Sequence, residues 1–228
     1  MWKMFATQIV DGEEVSYQLT TPGYAALVLI ALLCICAAVA LVRGSKTGGS
    51  RIATRQLMFS AMAMALATVT SMIKLFEAPM GGSVTLCSML FIVLIGYWYG
   101  PKAGILTGVA YGILQLIIDP YILTLPQMLV DYPLAFGALG LSGIFANSKH
   151  GLQKGYLLGI FGRWVFAFLS GYIFFAYYAW EGWNPVAYSA AYNASYIGIE
   201  GIITLVLVSL PPMQSALQSV KKLATDEA

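Results

Sequence analysis

Apolar residues along this chain gather in long runs. They show neither the period-two alternation of a half-buried strand nor the interrupted stripe of a helix that faces water on one side. The first run, Gly23 to Val42, is twenty residues without a charge, the length that crosses a hydrocarbon core of about 30 Å. Six more apolar segments follow, near 54–76, 84–99, 102–118, 126–146, 155–179 and 191–210. Between the first two runs lies Arg43-Gly-Ser-Lys46-Thr-Gly-Gly-Ser-Arg51, a flexible basic linker. The pattern predicts an all-α integral membrane protein in two parts. Residues 1–50 form an N-terminal extension with a transmembrane helix at 23–42. Residues 51–228 form a six-helix membrane core with a short cytoplasmic tail. The first run is not a secretory leader, because Asp11, Glu13 and Glu14 stand where a leader would be basic.

Composition agrees. Of 228 residues, 59% are apolar and only 10% charged, with a mean hydropathy of +0.78; a soluble domain carries about 25% charged residues. A net charge of +2 excludes a broad basic face for nucleic acid, and the aliphatic and aromatic content excludes disorder. The distribution of charge is more informative than its sum. Arg43, Lys46, Arg51, Arg55, Lys102, Lys149, Lys154, Lys221 and Lys222 all fall on alternate loops. Asp11, Glu13, Glu14, Glu77, Asp119 and Glu181 fall on the others, with only Lys3 and Lys74 near them. The positive-inside rule places the N-terminus outside and the C-terminus in the cytoplasm. Three cysteines without a CxxC, and a single histidine, His150, predict no metal site and no disulfide framework. No GxxxxGK[ST] loop and no Ser-His-Asp set occurs. The expectation is a protein that is not an enzyme and needs no cofactor; uphill transport would need energy from a partner.

Small residues recur every fourth position at Gly104/Gly108/Gly112, Gly155/Gly159 and Ala61/Ala65, with Ala63 and Ala67 beside the last pair. Such faces allow close helix approach in lipid. For the glycines this reads as packing within the chain; for Ala61 and Ala65, internal packing and docking of another membrane subunit stand side by side. Three ionisable residues lie in or at the spans, each costing roughly 2.5–3.5 kcal/mol at a bilayer centre. Arg163 is two turns into its span and can snorkel to the cytoplasmic surface. Glu200 fits a helix–helix hydrogen bond or a function. Asp131 closes a stretch holding Tyr121, Gln127 and Tyr132; it reads as a partner for an organic cation or as a cap on a helix restarting after Pro126. A second aromatic cluster runs from Gly171 through Phe175, Tyr178, Trp180, Trp183 and Tyr188 to Asn193. An aromatic belt accounts for many of these rings, but poorly for Asn193, which lies within an otherwise apolar stretch; Asn193-Ala-Ser195 is formally a glycosylation sequon, discounted because it stands at a predicted helix start. Rings, a carboxylate and an amide together describe a pocket for a flat cationic heteroaromatic, held by stacking and cation–π contacts.

Gly81-Gly82-Ser83, Tyr99-Gly-Pro-Lys-Ala-Gly-Ile-Leu-Thr-Gly108, Pro120-Tyr-Ile with Gln127, Asp131-Tyr-Pro-Leu-Ala-Phe136, and Tyr178-Ala-Trp-Glu-Gly-Trp-Asn-Pro-Val-Ala-Tyr188 with Asn193 resemble the thiamin-specific substrate-binding (S) components of energy-coupling-factor transporters. The similarity covers about residues 52–210. It implies a six-helix S-component core, here preceded by an extra N-terminal helix, with a thiamin pocket near the outer surface. It also implies a complex with a transmembrane coupling subunit and two cytoplasmic ATPases. An alanine motif of the family, contacting the coupling subunit, matches Ala61 and Ala65. Pocket positions match Tyr121, Gly171, Tyr188 and Asn193, and the pocket acid matches Asp131, where some relatives carry Glu. Phe175 stands where some relatives stack a tryptophan, a loop tryptophan of relatives falls near Gly82, and a histidine falls at Ala167. On this reading Tyr132 and Trp180 complete the pocket, with Phe175 and Trp180 stacking and Asn193 and Tyr188 bonding the pyrimidine edge. A rival reading is a stand-alone secondary transporter, coupled to protons through Asp131 and Glu200; a third is a structural membrane subunit.

Overall fold

In the computed structural model, residues 6–11, 14–22, 25, 54–119, 121 and 123–225 are described. The predicted span at 23–42 lies outside them, apart from Ala25. The six core segments form helices close to where the apolar runs place them: α1 (Thr54–Ser71), α2 (Ser88–Tyr99), α3 (Pro101–Ile118), α4 (Leu125–Phe145), α5 (Gly151–Phe174) and α6 (Pro185–Ser209). Helices α3 to α6 are each long and apolar enough to cross a membrane.

Helix α2 has only twelve residues, about 18 Å of axis, short of a bilayer core. It is apolar all round and buried from Ser88 to Gly96 except for Phe91, as a helix enclosed by others must be. It packs on α1, α3, α5 and the inner half of α4. Because it stops halfway, the outer half of the bundle interior is left unfilled. Its N-terminus is closed by a side chain from another helix. Glu200 of α6, 3% exposed, accepts hydrogen bonds from the backbone N–H groups of Thr85 (2.9 Å) and Met89 (3.2 Å) and from the hydroxyls of Thr85 (2.7 Å) and Ser88 (3.3 Å). The carboxylate lies where the helix dipole favours negative charge.

The glycine faces pack internally, as expected. A Cβ on Gly104 would fall 2.7 Å from the Gly140 Cα, and one on Gly108 would fall 2.3 Å from the Phe136 carbonyl oxygen. That close approach fixes α4 against α3. Ala61 and Ala65 behave differently: both are exposed, while Ala63 and Ala67 turn inward. Internal packing therefore accounts for the second pair and not the first. Cys87 is free and buried in the core, so it packs rather than faces lipid; Cys34 and Cys36 lie outside the described residues.

Four expectations need correction. Two hairpins are present where no strands were expected: β1 (Ala6–Asp11) with β2 (Glu14–Leu19), and β3 (Lys74–Glu77) with β4 (Ser83–Thr85). Strands of three to six residues are too short for alternation to stand out beside twenty-residue apolar runs. The tail is not a short extension but a helix, α7 (Pro211–Thr225); Pro211 and Pro212 end α6 and open it. Helix α6 begins at Pro185, with the Asn184 side chain accepting from the Val186 N–H (2.8 Å), so Asn193 stands two turns inside the helix and not at its start. Arg163 does not reach for the cytoplasm; it lines the interior space above α2.

Candidate functional site

The unfilled outer half of the bundle is a cavity of about 180 Å³, floored by Ser88 and Glu200 and walled by α3, α4, α5, α6 and the β3–β4 hairpin. It holds Tyr121, Asp131, Tyr132, Gly171, Phe175, Tyr188 and Asn193 together. Of the expected pocket residues only Trp180 is outside the lining: it is 53% exposed and meets Tyr188 edge-on, with ring centroids 5.2 Å apart.

Helix α4 builds the acidic wall. Thr124 caps it, its Oγ1 accepting from the Gln127 N–H (3.3 Å). That excludes Asp131 as the cap. Pro133, which has no N–H to donate, lies in a π-turn spanning Val130–Leu134; such widened turns recur at functional sites. Gln127, 1% exposed, uses both ends of its amide. Its Nε2 donates to the Tyr121 carbonyl (3.0 Å) and to Asp131 Oδ2 (2.6 Å), and its Oε1 accepts from the Leu123 N–H (2.9 Å). One buried amide thus ties the segment preceding α4 to the carboxylate and orients both. Tyr132 Oη accepts from the Tyr121 N–H (2.7 Å) and donates to the Asp119 carbonyl (2.9 Å), so its part is to hold the pocket rim. Asp131 has no ion-pair partner among the described residues.

The aromatic walls come in pairs. Tyr121 stacks on Phe175, the residue that follows α5, at 5.7 Å and 27°. Tyr188 stacks on Tyr192, one turn along α6, at 5.8 Å and 26°. Between them the wall is kept low by Gly171: a Cβ there would fall 2.4 Å from Ser189 Oγ and 2.9 Å from Asn193 Nδ2. Asn193 is 4% exposed. Its Nδ2 donates to the Ser189 carbonyl (2.9 Å) and its Oδ1 accepts from Tyr196 Oη (2.7 Å), which fixes the amide toward the cavity.

Several lining residues carried too weak a sequence signal to be named beforehand. Gln115 donates to Tyr111 Oη (2.6 Å) and Ser71 Oγ (2.9 Å), joining α3 to α1; an amide in an apolar span was the available clue. Tyr192 anchors the hairpin loop. It accepts from the Gly82 N–H (3.1 Å) and donates to the Pro79 carbonyl. A Cβ at Gly82 would fall 2.7 Å from Tyr192 Oη and 2.8 Å from Tyr196, so these tyrosines take the space a larger loop residue would need. At the rim, Lys74 is ion-paired with Glu77 (2.9 Å) and Asp119 (3.2 Å). The Glu77 hydrogen bond, ahead of the smaller effects of Asp119, holds the Lys74 pKa above its ordinary value. Its charge is thereby compensated at the entrance. Among the described residues no cluster of His, Cys, Asp and Glu is arranged to hold a metal.

What the arrangement can do is bind. A carboxylate without a salt bridge offers charge, stacked rings offer faces for a flat ligand, and an oriented amide offers an edge; among the described residues no nucleophile–base pair is assembled. The family described as Thiamine transporter protein matches residues 57–219. A Thiamine transporter ThiT of Bacillus subtilis (strain 168) is 36% identical over 146 residues, 58% of this chain and 76% of that protein. A second, from Lacticaseibacillus paracasei (strain ATCC 334), is 28% identical over 120 residues, 45% of this chain and 60% of that protein. A solved structure of ThiT from Listeria monocytogenes superposes with a TM-score of 0.57 at 23% identity, covering 71% of this chain and 94% of that one, which shows a shared fold.

Proposed function

The chain belongs to the Thiamine transporter protein family, and from that membership we propose that it captures thiamin on the outer side of the membrane as the substrate-binding subunit of an ATP-driven energy-coupling-factor importer. It is a multi-pass membrane transport protein and not an enzyme. The observation that carries the reading is Asp131: a carboxylate that forms no salt bridge among the described residues, held by Gln127 in a cavity with aromatic walls. Thiamin has a permanent thiazolium charge, an aminopyrimidine edge and two flat rings, and each has a counterpart there. Asp131 supplies the negative charge, Phe175 and Tyr121 the stacking surface, and Asn193 and Tyr188 the polar edge.

The wider assembly rests on the exposed face of α1. Ala61 and Ala65 are flanked by exposed Leu57, Met58, Met62, Leu66 and Val69, a shallow apolar surface suited to a transmembrane coupling subunit, with two cytoplasmic ATPases beyond it. On the loop charges, the pocket opens outside and the C-terminus is cytoplasmic. The stand-alone, proton-coupled reading loses one of its two carriers, because the Glu200 carboxylate is engaged by four donors. The test has two arms. Purification from native membranes should bring ATPase subunits with the chain, and proteoliposomes holding the chain alone should not accumulate thiamin. Accumulation by the chain alone under a proton gradient would refute the importer reading and support the rival.

A further inference from the structure

The β1–β2 hairpin is separate in sequence from the six-helix core. Its strands pair through Ala6↔Leu19, Gln8↔Tyr17 and Val10↔Val15, alternating with Thr7↔Gln18, Ile9↔Ser16 and Asp11↔Glu14. Successive residues of a strand fall on opposite faces. The first set therefore shares one face, apolar but for Gln8, and the second shares a face that is polar but for Ile9. A hairpin of two strands is marginal by itself in water, so it gains stability only where it packs on something larger. This one packs through β2, against α5 and against the turn Ala176–Tyr178 that follows α5.

That turn belongs to the rim of the pocket. Residues 175–184 cross from α5, which ends at Phe174, to α6, which begins at Pro185. Their backbone is bonded locally: the N–H groups of Tyr178, Ala179 and Trp183 donate to the carbonyls of Phe175 (3.0 Å), Ala176 (3.1 Å) and Trp180 (2.8 Å). The segment carries the rings that shape the mouth. Phe175 lines the cavity and stacks on Tyr121; Tyr178 leans on Phe175, with centroids 6.2 Å apart, and meets Tyr177 at 5.1 Å. Tyr177, Trp180 and Trp183 are exposed. A segment of short local turns with exposed side chains belongs to the low-stability end of a structure, and β2 packs on the part of it next to Phe175. Resting on the thiamin-binding reading, we propose that the β1–β2 hairpin is a strap on this rim that governs passage of the ligand. With β2 seated, Phe175 stays against Tyr121 and the mouth is narrow; with β2 lifted, the segment swings and the mouth widens. The apolar run expected to span the membrane begins at Gly23, just after β2 ends at Leu19. Such a tether keeps the strap at high effective concentration beside the rim, so it needs little affinity of its own to stay engaged.

A strap that holds the rim alike with and without ligand changes the rates of passage and not the equilibrium. An entrance open about a tenth of the time slows entry and exit about tenfold alike. Stopped-flow mixing of the purified full chain with thiamin, followed by tryptophan fluorescence, measures both rate constants. Removal of residues 6–19 should raise association and dissociation together, by about three- to tenfold, with Kd changed less than either rate. Unchanged rates overturn the strap. A rise in only one rate overturns it too: faster dissociation alone is the mark of a hairpin that merely shapes the folded pocket. Ser16→Pro combined with Tyr17→Pro keeps the chain length and removes an N–H from each edge of β2, so pairing with β1 is lost whichever edge carries it; it should have the same effect. If the deletion does not yield monodisperse protein, this double variant decides alone by the same readings. Wild type that binds no thiamin would instead refute the reading on which the strap rests.

Discussion

Replacing Asp131 by Asn alters one quantity at the site. The side chain keeps its size, and its amide oxygen can still accept from Gln127 Nε2, now 2.6 Å from the carboxylate. The charge is lost. Two unit charges 4 Å apart at an effective dielectric of 20 attract by about 4 kcal/mol, and desolvation of both groups offsets part of this. The net value of a charge-assisted contact is roughly 1.5–3 kcal/mol, or ten- to more than hundredfold in affinity. Thiamin affinity of Asp131→Asn, measured by titration calorimetry on monodisperse protein, should fall by at least that factor. Asp131 forms no salt bridge among the described residues, so none is broken, and the melting temperature should change little. An unchanged thiamin affinity would show that the cation does not lie against Asp131 and would refute the pocket reading.

Replacing Ala61 and Ala65 together with tryptophan should abolish uptake by the assembled transporter while the isolated chain still binds thiamin; equal loss of binding would assign the face to folding. Phe175→Trp enlarges the surface stacked on Tyr121 and should leave thiamin affinity unchanged or raise it by up to about tenfold, the 0.5–1.5 kcal/mol range of an aromatic pair; a fall beyond that range would remove Phe175 from the site. Gly108→Leu places atoms where the Phe136 carbonyl already stands and should destabilise the fold by about 1–3 kcal/mol or more, lowering the melting temperature; a neutral effect would contradict the α3–α4 contact. Single-cysteine labelling should find position 45 accessible only from the cytoplasm and position 13 only from outside, and the reverse would overturn the orientation.

The six core helices were legible because lipid demands long apolar runs, and the glycine faces because close approach needs spacing of four. Asp131, Tyr121, Phe175, Tyr188 and Asn193 were legible as polar or aromatic departures in or beside those runs, and Gly171 through the family resemblance; the structure brings them to one cavity. Arg163 was misread because reach along one helix says nothing about direction around it; α5 turns that face toward α4, where Phe136 receives the guanidinium. Trp180 was placed by its neighbours in sequence, yet it comes after α5 ends at Phe174 and stands at the rim. Asn184-Pro185, a cap followed by proline, marks the start of α6, ahead of the apolar run at 191–210. The pocket itself could not be read from the sequence: it exists because α2 stops short, and a short buried helix has the same apolar signature as part of a longer span.

The central claim is that this chain alone forms a site for thiamin. Native mass spectrometry of the full chain, purified from cells grown with the vitamin, tests it most directly. The account predicts a bound species with the mass of thiamin on the wild type, diminished on Asp131→Asn at matched expression. Wild-type protein that remains unliganded after incubation with excess thiamin, or that carries a ligand equally well without the Asp131 charge, would contradict it.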